Sequence, residues 1–186
     1  MTNGQTPAAA QGVTVHRLPR QGLLKIQLRG PHPDVCQRLG DAFGARPPRK
    51  SGTSAVTPQG VAIWLSPDAW LIVTAAEEVP ALTARFSQAL EGTTHLVSDV
   101  SHAHSVFEVA GKDARGLLAR VCALDLHPPR FSVGDAARSL MVRIPLLIHM
   151  HDAAPTYRLF VDRSFSSYAA DWLVDACDGL RQRVDT

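Results

Sequence analysis

The chain has 186 residues, 45% of them apolar and 19% charged, with a formal net charge of +2. That make-up is ordinary for a water-soluble domain long enough to bury a core without disulfide or metal staples. Lysines and arginines are scattered, which excludes an electrostatic footprint for nucleic acid, and no run approaches the roughly 18 apolar residues of a membrane span.

The opening MTNGQTPAAAQG has no basic start followed by an apolar stretch, so it does not read as a secretory signal. Residues 1–21 are expected to be a loose tail and the protein to be cytoplasmic. LLKIQLRG, 23–30, reads as a strand ending at Gly30. PDVCQRLGDAFG follows as a short helix with Val35, Leu39 and Phe43 on one face and Gly44 as its stop. ARPPRKSGTSAVTPQG, 45–60, shows no apolar period and reads as an exposed, mobile loop.

VAIWLSPDAWLIVTA then makes two strands around a tight turn, with Pro67 suited to its second position and Asp68 able to bond the backbone locally. Trp64 and Trp70 fall near the strand ends, where aromatic cross-strand contact stabilises a hairpin. VPALTARFSQALEG, 79–92, closes the unit as a helix with Leu82, Phe86, Ala89 and Leu90 inward.

The same order returns from residue 104. HSVFEVAG is a strand ending at Gly111, and KDARGLLARVCAL a helix with Ala114, Leu117, Leu118 and Val121 on its apolar stripe. LDLHPPRFSVGDAA, 124–137, is a loop, RSLMVRIPLLIHM a strand, HDAAP a turn, and TYRLFVD a returning strand. SFSSYAADWLVDACDGL is the last helix, with Tyr168, Trp172, Leu173 and Ala176 facing in.

The reading is therefore α+β, with two β-α-β-β-α half-domains at 22–93 and 94–180 forming a pseudo-twofold pair, and a C-terminal tail at 181–186.

Candidate chemistry is sparse. Cys36, Cys122 and Cys177 form no C-x-x-C pair and read as small buried hydrophobes. His102 with His104, and His149 with His151, repeat a His-x-His spacing that would point two imidazoles to one side of a strand and suit a metal ion. The alternative is two pairs of solvated histidines. Ser98, Asp99 and Ser101 invite a nucleophile reading, but no G-x-S-x-G elbow is present, and local backbone bonding accounts for Asp99 and Ser101. No glycine-rich nucleotide fingerprint occurs. The basic run Arg46, Arg49 and Lys50 reads as solvated, and Trp64, Trp70 and Trp172 as core or interface anchors.

WLSPDAWLIV, SDVSHAHSVFEVAGKDARGLLARVCALDLHPPRFSVG and YRLFVDRSFSSYAADWLVDA together resemble the gamma subunit of heterotetrameric sarcosine oxidase, with a likeness running from about residue 23 to 178. Asp99, Val100, Ser101 and His102, a strand, Gly111, then Asp113 and Ala114 opening a helix also look like the start of the aminomethyltransferase (T-protein) folate-binding fold. In those enzymes a Gly-Gly and an Asp pair precede the returning strand. This chain has Ile144, Leu146, Leu147 and Ile148 there, with Asp152 in the turn, so the likeness keeps the scaffold and loses the acid.

The resemblance implies an oxidase complex in which alpha, beta and delta subunits, mainly alpha for this chain, are the partners. FAD, FMN, NAD and tetrahydrofolate would sit on other subunits. The complex would oxidise sarcosine to glycine with oxygen, form hydrogen peroxide and pass the one-carbon unit to tetrahydrofolate. This chain would hold the assembly together without catalytic, cofactor or metal residues of its own, and Trp64, Arg163 and Phe165 are its candidate interface residues. The alternatives are a stand-alone folate-dependent one-carbon transferase and a metal enzyme built on either histidine pair.

Overall fold

A computed structural model describes residues 8–10, 12–30 and 34–181. Eleven strands and four α-helices follow in the order β1 (Ala8–Ala10), β2 (Val13–Arg17), β3 (Gly22–Arg29), α1 (Val35–Phe43), β4 (Ser54–Thr57), β5 (Gly60–Ser66), β6 (Ala69–Thr74), α2 (Val79–Ala89), β7 (Thr94–Asp99), β8 (His104–Ala110), α3 (Ala114–Val121), β9 (Ala136–Met141), β10 (Ile144–Asp152), β11 (Thr156–Asp162) and α4 (Ser166–Arg181). They make a mixed α/β protein with two antiparallel sheets, and the chain divides into two compact units.

The first unit is Arg20–His102. Its sheet runs β4-β5-β6-β3-β7. Alternation along β3 places Leu24, Ile26 and Leu28 on one face, where they join Ala62, Trp70 and Ile72 beneath α1 and α2. Val35, Leu39 and Phe43 of α1 are each 2% exposed, as their four-residue spacing requires. Phe43 meets Phe86 of α2 with ring centroids 5.8 Å apart. Gly44 ends α1 in the left-handed conformation, φ 87°, and its N–H bonds the Gly40 carbonyl. In α2, Leu82 and Phe86 are buried while Ala89 is only half covered, and Leu90, just past the helix end, is buried.

Two expectations for this unit change. Within the segment read as a loose loop, Ser54–Thr57 is an edge strand on β5, and the Trp70 indole N–H donates to the Pro48 carbonyl at 2.7 Å, which pins the rest. Thr94–Asp99, placed by the sequence at the head of the second half, pairs with β3 and completes this sheet.

The second unit joins the residues before Arg20 to those after His102. Its sheet runs β1-β2-β8-β11-β10-β9. Phe107 and Val109, Tyr157, Leu159 and Val161, and Ile144, Leu146, Ile148 and Met150 form one buried face. Over it lie Ala114, Leu117, Leu118 and Val121 of α3 and Ala169, Leu173, Ala176 and Cys177 of α4.

Three readings are corrected here. Within 1–21, residues 13–17 form β2 on β8, with Val13 and Val15 each 2% exposed; a loose tail does not describe them. RSLMVRIPLLIHM is not one strand but parts of two, β9 and β10, turning at Val142 and Arg143. Trp172, expected inward, is 37% exposed because the buried stripe of α4 runs through Ala169, Leu173, Ala176 and Cys177. Of the expected C-terminal tail, residue 181 still belongs to α4, and 182–186 lie outside the described residues.

Gly111, the anticipated end of β8, has φ 116°, and a Cβ there would run into the Gly12 carbonyl, so glycine alone fits the approach of the β2 segment. No helix among the described residues is long and apolar enough to cross a membrane.

Candidate functional site

The reactive-looking residues are used for structure. Asp99 Oδ1 accepts from the Ser101 N–H at 2.9 Å and from the Ser101 hydroxyl, whose oxygen accepts the Leu23 N–H at 2.9 Å. The hydroxyl bond first, then the N–H bond, hold the Asp99 carboxyl below its ordinary range, with smaller help from His102 and Arg20 against the cost of burial. Ser101 therefore spends its hydroxyl closing the junction of β3 and β7, and the nucleophile reading gives way to local bonding.

His102 and His104 do not share a strand. His102 lies in the turn before β8 and is exposed, and Arg20 donates to its Nε2 at 3.0 Å. A guanidinium only donates, so that nitrogen's lone pair is already engaged. His104 opens β8, with Nε2 3.7 Å from the Asp162 carboxylate.

His149 and His151 do come together, with ring centroids 6.1 Å apart. His149 is 2% exposed, and burial first, then the neighbouring His151 and Arg158, push its pKa down to about 4. Burial and Arg158 also lower His151, whose Nδ1 is buried without a hydrogen bond. Arg158 stands across from His149 and pairs with Glu108 at 3.5 Å. His149 is buried, which corrects the solvated reading for that residue, while His151 is half-buried. Among the described residues no group of three His, Cys, Asp or Glu side chains could hold a metal, so that reading lacks a third ligand.

Cys122 and Cys177 are buried in the core and Cys36 is half buried, none of them in a disulfide among the described residues. Trp64 and Trp70 sit directly opposite in the β5–β6 register, around a turn at Pro67 and Asp68. Trp70 is core, whereas the Trp64 indole N–H is buried without a partner. In the basic loop, Arg46 donates to Gln37, and Arg49 and Lys50 are exposed.

A concavity with an apolar lining lies in the second unit. Val142, Arg143 and Ile144 from the β9–β10 hairpin, Phe165 from a short 3₁₀ turn, and Tyr168 and Trp172 from α4 line an open cleft of about 610 Å³. Tyr168 and Trp172, one helical turn apart, bring their rings to 6.2 Å. Of the three candidate interface residues, Phe165 is in this cleft and 38% exposed, Arg163 is exposed in the same 3₁₀ turn, and Trp64 belongs to the other unit. Sequence reading missed Val142, Arg143 and Tyr168, and left Trp172 between core and interface anchor. The signal was present, since aromatic residues at 165, 168 and 172 are more than one buried stripe of α4 can use.

The family pattern described as sarcosine oxidase, gamma subunit family, matches residues 31–179. The sarcosine oxidase gamma subunit of Corynebacterium sp. strain U-96 is 34% identical over 139 residues, covering 74% of this chain and 66% of its own length. That of strain P-1 is 32% identical over 139 residues, covering 74% and 67%. The chain thus spans about two thirds of the length of the curated relatives it matches.

Among solved structures, a chain of the heterotetrameric sarcosine oxidase from Corynebacterium sp. U-96, in complex with pyrrole 2-carboxylate, superposes with a TM-score of 0.84 and 27% identity, covering 94% of this chain and 89% of that one. The glycine cleavage system aminomethyltransferase T from Bartonella henselae shares the fold at a TM-score of 0.65 and 14% identity, over 91% of this chain and 50% of that one. With the family pattern running through both units, from before α1 to within α4, the chain belongs to the sarcosine oxidase gamma subunit family.

Proposed function

We propose that this chain is the non-catalytic gamma subunit of a cytoplasmic heterotetrameric sarcosine oxidase, docked mainly on the alpha subunit beside beta and delta. The complex would demethylate sarcosine to glycine with production of hydrogen peroxide and pass the one-carbon unit to tetrahydrofolate, with FAD, FMN, NAD and the folate on other subunits. The observation that carries this reading is the superposition at a TM-score of 0.84 over 94% of the chain on a component of such an oxidase.

The chain's own chemistry supports it. Where the resemblance places acids in a working aminomethyltransferase, Ile144, Leu146 and Ile148 point into the core, at 5%, 3% and 0% exposure. A carboxylate there would be buried among hydrocarbon, at a cost of several kcal/mol unless it stayed protonated. Ser101 and Asp99 are bonded to the backbone and to each other.

A duplicated β-α-β-β-α ancestor belongs to the same proposal. The orders β4-β5-β6-β3-β7 and β9-β10-β11-β8-β2 correspond strand for strand, although the last place is filled by a strand after the unit's helices in one sheet and by the N-terminal segment in the other.

The purified chain alone tests the catalytic part. It is expected to be colourless, to consume no oxygen with sarcosine and to show no calorimetric binding of tetrahydrofolate. Tight folate binding by the lone chain would replace this reading with a stand-alone one-carbon transferase.

A further inference from the structure

The cleft of the second unit has the features of a seat for another polypeptide. Phe165 and Trp172 keep 38% and 37% of their surfaces in solvent, although the neighbouring Leu173 is fully buried. Adjacent exposed aromatics on a concave surface cost solubility and mark contact sites. At the rim, Arg143 is exposed, and none of the ion pairs of the described residues engages it.

The hairpin tip is held in position. Val142 has φ 56°, a left-handed conformation that a β-branched residue adopts only under constraint, and its N–H bonds the Val121 carbonyl at 2.7 Å. That bond fixes where Arg143 begins.

We propose that the cleft lined by Val142, Ile144, Phe165, Tyr168 and Trp172 receives a segment of a neighbouring subunit. The segment places an apolar side chain between Phe165 and Trp172 and an Asp or Glu carboxylate against Arg143. This rests on the reading of the chain as an assembly subunit. Charge selects the occupant: an exposed guanidinium beside an apolar wall pairs with a carboxylate. A symmetric pair of copies meeting through the cleft would instead bring two Arg143 side chains to one seam.

The test uses the complex with all subunits co-expressed and this chain tagged, carrying Arg143→Glu, Arg143→Lys or Phe165→Ser. A thermal melt of each variant checks folding, and Arg143→Glu, at an exposed site, decides alone should Phe165→Ser fail to fold. Arg143→Glu is expected to lower affinity for the partner subunits about ten-fold or more. Phe165→Ser should also weaken retention, and Arg143→Lys should keep most of it.

Wild-type retention of the partners with no loss in Arg143→Glu and Phe165→Ser would overturn the cleft while leaving the assembly role intact. Loss of a self-dimer with unchanged retention would give the cleft to a second copy and equally overturn the proposal. Failure of the wild-type chain to retain any subunit would remove the assembly reading itself, and the proposal with it.

Discussion

His149 shows how a single side chain ties this fold to pH. It is buried on a strand paired on both sides, and the environment that pushes its pKa down to about 4 disfavours the charged ring. The unfolded chain takes up that proton near the ordinary value of 6.5 and the folded chain does not. Stability contributed by the neutral ring is therefore present above pH 6.5, falls as pH drops towards 4, and changes little below that. Between pH 7 and 4.5 the loss from this residue amounts to about 2–3 kcal/mol. Urea unfolding at the two pH values should show His149→Phe with a flatter acid limb than the wild type. Equal acid sensitivity in both would place the proton uptake elsewhere.

The cleft was only half legible in the sequence at this same scale. Residues 165, 168 and 172 are apolar at helical spacing, and periodicity alone does not say which of two adjacent stripes is covered. What settles it is volume: small Ala169, Ala176 and Cys177 let α4 pack closely on the sheet, and the large rings fall to the side.

Among the elements, the N-terminal pair of strands carries the clearest consequence. β2 covers the edge of β8 from Thr14 to Arg17, and Val13 and Val15 reach the core. Each buried valine is worth about 1.5–3 kcal/mol, and an uncovered strand edge is a template for aggregation. Deleting residues 1–19 should lower the unfolding free energy by about 3–6 kcal/mol and shift the chain towards aggregates in light scattering. A deletion variant as stable and monodisperse as the full chain would return that segment to the status of a tail.

The helices were readable, because Val35, Leu39 and Phe43 or Leu117, Leu118 and Val121 repeat at three and four and glycine stops follow two of them. β9 and β10 were not readable as a hairpin. Their turn is Val-Arg rather than Asn-Gly, and only tertiary packing holds a valine at φ 56°. β4 escaped because a four-residue edge strand with one buried side chain leaves no apolar period.

At the scale of the whole molecule, the family was legible because its motifs are spread along both units, whereas the proposed docking cleft was not. Contact faces are defined by what stays uncovered after folding, and no spacing rule reports that. The two units bury their own cores and still leave the Phe165 and Trp172 rings partly in solvent.

The proposed role of this chain is to brace an oxidase whose chemistry is carried by other subunits. Its most direct test is to co-express the remaining subunits with and without this chain and follow the assembled mass by size exclusion with light scattering, together with sarcosine oxidation. Omission is expected to lower the yield of assembled complex, and adding back the purified chain to restore mass and activity together. A three-subunit assembly of full stability and full turnover without this chain would contradict it.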